Sequence, residues 1–146
     1  MADAAEVPAP PPGFLPSPSR GPFSAHNGPF FDREADEGFQ RAFYALKRHC
    51  NGLGLVHGGM LTSFLDSLLA AAVHRATGAA CVTIHLSVDF LSMARAGEWV
   101  IGEARLTRAA RDTAFAEGRA MIAGRDVVRA SGVFKLMPRR ARERVG

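Results

Sequence analysis

The amino-acid sequence predicts an α+β domain in which an antiparallel sheet curls around one long helix. Three observations carry that prediction. Residues 59–77 repeat apolar side chains at helical spacing with no Pro among them, and after Gly78 the period switches to two. The alternating runs that follow are joined by short connections, as antiparallel neighbours are. One preceding strand, one long helix and four successive strands make up the architecture.

Taken in order, residues 1–27 are rich in Pro, Gly, Ala and Ser, with Pro8 to Pro12 interrupted only by Ala9. Such a segment buries too little apolar surface to offset its ordering entropy, so a disordered tail is expected. Pro29-Phe30-Phe31 would dock that tail on a body spanning 28–140, and 141–146 would form a basic C-terminal tail. The acidic run from Asp32 to Glu37 reads as a solvated turn or short helix. From Gly38, Phe39, Arg41, Phe43, Ala45 and Lys47 alternate with Gln40, Ala42, Tyr44 and Leu46, a strand of imperfect pattern or a short helix. The long helix carries Met60, Phe64, Leu68, Ala71 and Ala72 on one stripe, with Leu61, Leu65 and Leu69 beside it, and Gly78 stops it.

In the first alternating run Val82, Ile84, Leu86, Val88 and Phe90 share a face opposite Thr83, His85, Ser87 and Asp89, a strand with one buried side. A second strand opens after Gly97 and buries Val100, Gly102, Ala104 and Leu106. The third runs from about Asp112 to Ile122 and turns at Gly124. The fourth, from Asp126 to about Met137, buries Val128, Ala130, Gly132, Phe134 and Leu136 and is ended by Pro138.

A chain of 146 residues with 47% hydrophobic and 22% charged residues fits one soluble domain with a sizeable core. Thr62, Ser63, Asp66 and Ser67 interrupt the one stretch apolar enough to suggest a membrane span. The first residues lack the basic and apolar regions of a secretory signal, and Cys50 and Cys81 lack metal or redox spacing, so a cytoplasmic location is expected. The net charge of +4 divides into an acidic N-terminal part and an Arg-rich part beyond residue 90. Arg matches phosphate geometry, yet the stacking residues and motifs of nucleic-acid binding are missing. No nucleic acid and no membrane are expected as partners.

The chemistry concentrates at Asn51-Gly52-Leu53-Gly54-Leu55-Val56-His57-Gly58-Gly59. Two glycines opening a helix expose backbone N–H groups at its positive end, where an oxyanion can be held. Asp66, two turns on, supplies a carboxylate for base or nucleophile, and the pair points to hydrolysis of an acyl compound. Thr62, Ser63, Ala70 and His74 flank Asp66, and no Lys, Glu or Arg occurs between Gly58 and His74. Small side chains on that face predict that a partner subunit covers it, leaving Asp66 in an interfacial cleft. His57, Asp66, His74 and His85 have no recognised metal-ligand spacing, so no metal is expected.

Asn51, His57-Gly58-Gly59, Asp66 and the strand of Thr83 together resemble the hotdog-fold acyl-CoA thioesterases, in the branch of the phenylacetate-pathway and 4-hydroxybenzoyl-CoA enzymes. The likeness runs from about Phe39 to Met137. The resemblance implies dimers joined edge to edge, or tetramers of two such dimers, with active sites at the dimer interface. It implies that the Gly58 N–H polarises the thioester carbonyl and that Asn51 holds the carbonyl or the attacking water. Asp66 of the opposite subunit would be general base or nucleophile, and Thr83 would orient the water. His57 would hydrogen-bond the loop. No cofactor is implied, because coenzyme A is part of the substrate. Gly59, Met60, Phe64 and Leu65 are expected around the acyl group, and Arg108 or Arg111 at the coenzyme phosphates, although the turn carrying these arginines departs from the family's Gly-Arg or Gly-Lys pattern. A hotdog enoyl-CoA hydratase fits the spacing of His57 and Asp66 poorly, and a non-catalytic acyl-CoA sensor would have no need of Asp66.

Overall fold

The computed structural model describes residues 6–18, 21–36 and 38–138. The N-terminal part holds β1 (Leu15–Pro16), α1 (Pro22–Asn27), β2 (Phe31–Glu34) and β3 (Phe39–Tyr44). After a 3-10 turn at Lys47–His49 come α2 (Gly58–Thr77), β4 (Cys81–Phe90), β5 (Trp99–Ala109), β6 (Thr113–Ile122) and β7 (Arg125–Leu136). All strands are antiparallel in one sheet of order β1-β2-β3-β5-β6-β7-β4, which leaves β4 as an edge. The expected α+β architecture is therefore present, with α2 against one face of the sheet.

Helix α2 buries Met60, Leu61, Phe64, Leu65, Leu68, Leu69, Ala72 and Val73. The sheet accepts it through small residues. A Cβ on Gly102 would lie 2.7 Å from Leu68 Cδ2 and 2.9 Å from Phe64, and one on Gly118 would meet Leu69 at 2.9 Å and the Glu103 carbonyl at 2.7 Å. Ala104, Ala116, Ala120 and Ala130 surround them, so the helix lies close against β5, β6 and β7. Phe30 stacks on Phe64 at 6.0 Å and Phe43 meets Phe64 edge-on at 4.8 Å, closing the core on the N-terminal side. Gly78, at φ 72°, ends the helix in the left-handed conformation that Gly adopts without strain.

Three sequence expectations are corrected. Much of the predicted tail is ordered: Phe14 is buried beneath the Arg33 guanidinium, and Leu15 and Pro16 pair with Asp32 and Phe31 of β2. Proline restricts the unfolded chain and so lowers the entropy lost on ordering, and one buried aromatic plus a strand pairing suffices here. The acidic run is also strand rather than solvated turn, at least through Glu34. Asp32 grips the buried Arg41 of β3 through two hydrogen bonds, at 2.7 and 3.1 Å. Arg41 in turn reaches Ser67 of α2 and Ser17 beyond β1, so one guanidinium joins β2, β3, the segment after β1 and the helix. The residues 139–146, which include the expected basic tail, lie outside the described part.

The third correction concerns β4. Thr83 pairs with Phe134 but His85 pairs with Val133, so Ile84 is an extra residue, a bulge. The inward face changes parity across it, from Cys81 and Thr83 to Leu86, Val88 and Phe90. Val82 and Ile84, expected in the core, are exposed.

Removing one partner of a buried ion pair strands the other charge, so Asp32→Ala is expected to lower stability by about 3 kcal/mol. Glu117→Ala, which breaks an exposed pair with Arg105, is expected to cost under about 1 kcal/mol. Urea denaturation of both variants against the parent checks the contrast.

Candidate active site

The chain enters α2 through a turn that Asn51 organises. Its Oδ1 accepts the Leu53 and Leu55 N–H groups at 2.9 and 3.2 Å, and its backbone pairs with Leu55 and Gly54. Asn51 is thus a turn residue by its oxygen, while its Nδ2 amide is uncommitted among the described residues. His57 is the N-cap. Its Nδ1 accepts the Gly59 N–H at 2.7 Å, and its carbonyl accepts those of Met60 and Leu61 at 2.9 and 3.1 Å. One N–H of the first turn is left: among the described residues, Gly58 N–H has no acceptor.

The two glycines therefore do different work. A Cβ on Gly59 would stand 2.9 Å from His57 Nδ1 and displace the cap, so Gly59 is required by the cap and its amide is not available to a ligand, contrary to the expected substrate contact. At Gly58 a Cβ would meet only the ring of Phe90, at 3.5 Å. The expected amide at the mouth of the helix is thus one group, not two.

Asp66 is half-buried between α2 and edge strand β4. Thr83 donates its hydroxyl to Asp66 Oδ1 at 2.6 Å, and Oδ2 has no partner among the described residues. Burial, with the Asp66 charge adding to it, pushes the neighbouring Cys81 thiol up. At 1.5 Å of rise per residue, Asp66 lies about 12 Å along the helix from Gly58. The two groups of one chain cannot touch the same carbonyl.

The remaining expected contacts divide. Phe64 and Leu65 are wholly buried core and present no surface to a ligand, and Met60 is nearly so. Their helical stripe is the one that faces the sheet, so the acyl contacts expected of them are corrected. Arg108 and Arg111 are exposed on the β5–β6 hairpin. That hairpin lies at the C-terminal end of α2, where Arg105 and Leu106 share a groove of about 920 Å³ with Ala72, His74 and Arg75. Asp89 pairs with Arg129 on the outer face, and no His, Cys, Asp or Glu cluster suited to a metal occurs among the described residues. No helix among them is long and apolar enough to cross a membrane.

A residue the sequence did not single out holds this loop in place. His49 is buried; its Nδ1 accepts the Leu46 N–H at 3.0 Å, so its hydrogen is on Nε2, which donates to the Asn27 carbonyl at 2.7 Å. Its own carbonyl accepts the N–H of His57 at 2.9 Å. Arg48 beside it binds the carbonyls of His26 and Gly28. The N-terminal segment is thereby fastened to the loop that carries the cap. Burial, reinforced by the Arg48 charge and opposed by the hydrogen bond to Asn27, pushes the His49 imidazole below its ordinary value.

Residues 53–128 match the family described as the thioesterase superfamily. A Pseudomonas aeruginosa protein provisionally named an esterase is 36% identical over 129 residues, covering 86% of this chain and 96% of that protein. Mouse acyl-coenzyme A thioesterase 13 is 30% identical over 71 residues, which is 48% of this chain and 51% of that protein. Among solved structures, a phenylacetic acid degradation-related protein of Ralstonia eutropha, provisionally a thioesterase, superposes with a TM-score of 0.72 at 29% identity, covering 82% of this chain and 92% of the other.

The unfolded chain takes up a proton at His49 near 6.5, whereas the folded chain resists it. The stability it contributes is present above that pH and is lost as pH falls below it. Urea midpoints measured from about pH 7.5 down to about pH 5 are expected to fall, and less steeply in His49→Gln, whose amide does not titrate. Gly59→Ala, which pushes on the cap, is expected to lose about 1 kcal/mol or more, and Gly58→Ala markedly less, by thermal denaturation.

Proposed function

The chain is a hotdog-fold member of the thioesterase superfamily, and on that premise we propose that it hydrolyses an acyl-CoA to a carboxylic acid and coenzyme A. The observation that carries the reading is a pair of uncommitted groups of opposite character among the described residues: the Gly58 N–H and Asp66 Oδ2. The first is a donor at the positive end of a 20-residue helix and suits a carbonyl oxygen that gains charge. The second is a carboxylate oxygen whose twin is tied to Thr83.

Two copies complete the site in this reading. With β4 as an exposed edge, antiparallel pairing with its own copy about the strand's midpoint sets the partner subunit's Thr83 near this chain's Phe90. The partner subunit's Asp66 then approaches Gly58, which one chain alone cannot achieve over about 12 Å of helix. The same two-fold brings the partner's hairpin end, with Arg108 and Arg111, toward this side, where the coenzyme phosphates lie. A dimer is the minimal unit, and a tetramer is two of them.

A thioester carbonyl is already electrophilic and a thiolate leaves readily, so the proposed step needs neither metal nor cofactor. Asp66 Oδ2 takes a proton from water as the water oxygen bonds to the carbonyl carbon. The oxyanion forms against Gly58 N–H, with the Asn51 Nδ2 amide as a second donor to the carbonyl or the water. As the tetrahedral intermediate collapses the C–S bond breaks, and the thiolate receives the proton from Asp66. Attack by Asp66 itself would use the same atoms by way of an anhydride.

Gly58→Pro removes the N–H and little else, because Pro suits the first helical position and His57 already has the extended backbone (φ −60°, ψ 137°) that precedes Pro. The variant is expected to fold as the parent does and to lose about 10²–10³ in kcat on acyl-CoAs. Asp66→Ala is expected to lose roughly two orders of magnitude or more, by thiol release. Coexpressed or mixed and reannealed, the two dead variants are expected to recover roughly a quarter of parental activity, since half the dimers are mixed and each of these has one intact site. No recovery, or an active monomer by light scattering, would overturn the shared site.

A further inference from the structure

Phe90 closes β4 with 56% of its surface exposed, although it points to the helix side of the sheet. Its ring atoms Cε1 and Cζ stand 3.5 Å from the position of a Cβ on Gly58, so the ring borders the space in front of that unpaired backbone N–H. The bulge at Ile84 puts it there. Without that extra residue the inward parity of Cys81 and Thr83 would continue through His85, Ser87 and Asp89, and position 90 would go to the outer face. Bulges of this kind re-aim a side chain at a site, and here the side chain re-aimed is a large apolar ring left uncovered.

The surroundings are apolar as well. Loops 51–56 and 91–95 run together beside Gly58, joined by the Leu55–Arg95 bridge and by the Val56 N–H on the Ala94 carbonyl at 2.8 Å. They expose Leu53 at 81%, Met93 at 62% and Leu91 beside Phe90. Isolated exposed apolar residues are ordinary, but several on the loops that flank an unpaired donor are the material of the apolar walls that small-molecule sites use. Phe64 and Leu65 cannot serve, being sealed in the core.

We propose that Phe90 is the residue that recognises the acyl group. Its ring flanks the thioester carbonyl at Gly58 and packs on the carbons beyond it, so that the preferred substrates carry an apolar acyl group of several carbons. This rests on the thioester reading above. Acetyl, with a single methyl, reaches too little of the ring to benefit, whereas a hexanoyl or phenylacetyl group covers it.

The test is kcat/KM by thiol release for acetyl-, hexanoyl- and phenylacetyl-CoA with the parent, Phe90→Ala and Phe90→Leu. Each methylene buried against a pocket wall changes rate by a few-fold, so Phe90→Ala is expected to lose about ten-fold or more on the two larger substrates and several-fold less on acetyl-CoA. Phe90→Leu, which keeps apolar volume, is expected to restore most of the hexanoyl rate. Equal losses on all three substrates, or selectivity unchanged from the parent, would overturn the assignment. So would dissociation of Phe90→Ala dimers by sedimentation with activity lost uniformly, since that places the ring in the subunit contact alone. A parent that turns over none of the panel sinks the thioesterase reading and this inference together; a parent that turns it over with the variants' selectivity unmoved sinks only the inference.

Discussion

The hydrogen bond from Gly59 N–H to His57 Nδ1 sets the terms for the rest of the site. A helix begins with orphan donors, and this one consumes all but one of them with a single side chain and a single carbonyl. Because the cap is a ring folded back over the first turn, the second glycine is fixed by sterics. The first is left with an open amide.

That cap is only as well placed as the loop before it, and the loop is held from an unexpected quarter. His49 and Arg48 bind carbonyls of residues 26–28, while Arg41 ties β3 to Asp32, Ser17 and Ser67. The N-terminal segment is therefore part of the mounting of the site. Buried polar groups of this kind are costly unless every partner is in place, and here the described buried side-chain nitrogens and oxygens all have partners. A change in the Pro-rich segment would reach the helix mouth through hydrogen bonds rather than through packing alone.

Edge strand β4 carries the other half of the chemistry. Before its bulge it offers Thr83 to Asp66; after it, the strand offers Phe90 to Gly58. One inserted residue thus lets a single strand serve both the start and the middle of α2, which a uniform alternation could not do. Its open edge, with Val82 and Ile84 exposed, is the feature on which the proposed two-copy site depends.

The sequence by itself determined the helix, its stop at Gly78, the succession of the last four strands along the chain and the small-residue lining of the sheet, because those follow from periodicity and from residue volume; that β4 crosses over to pair with β7 rather than with its chain neighbour β5 does not. It also marked Asn51, His57, Gly58 and Asp66, since few patterns place two glycines and a lone carboxylate on such a helix. The tertiary structure decided what periodicity does not encode. Whether Phe14 and Asp32 are buried depends on Arg33 and Arg41, which arrive from other strands. The bulge at Ile84 shows only in the pairing with β7, and it overturned the inward face read from strict alternation. Phe64 and Leu65 could be read as acyl contacts or as core until the sheet was seen to cover them. A pattern of two or 3.6 residues says which side chains share a face; only the packed neighbour says what that face meets.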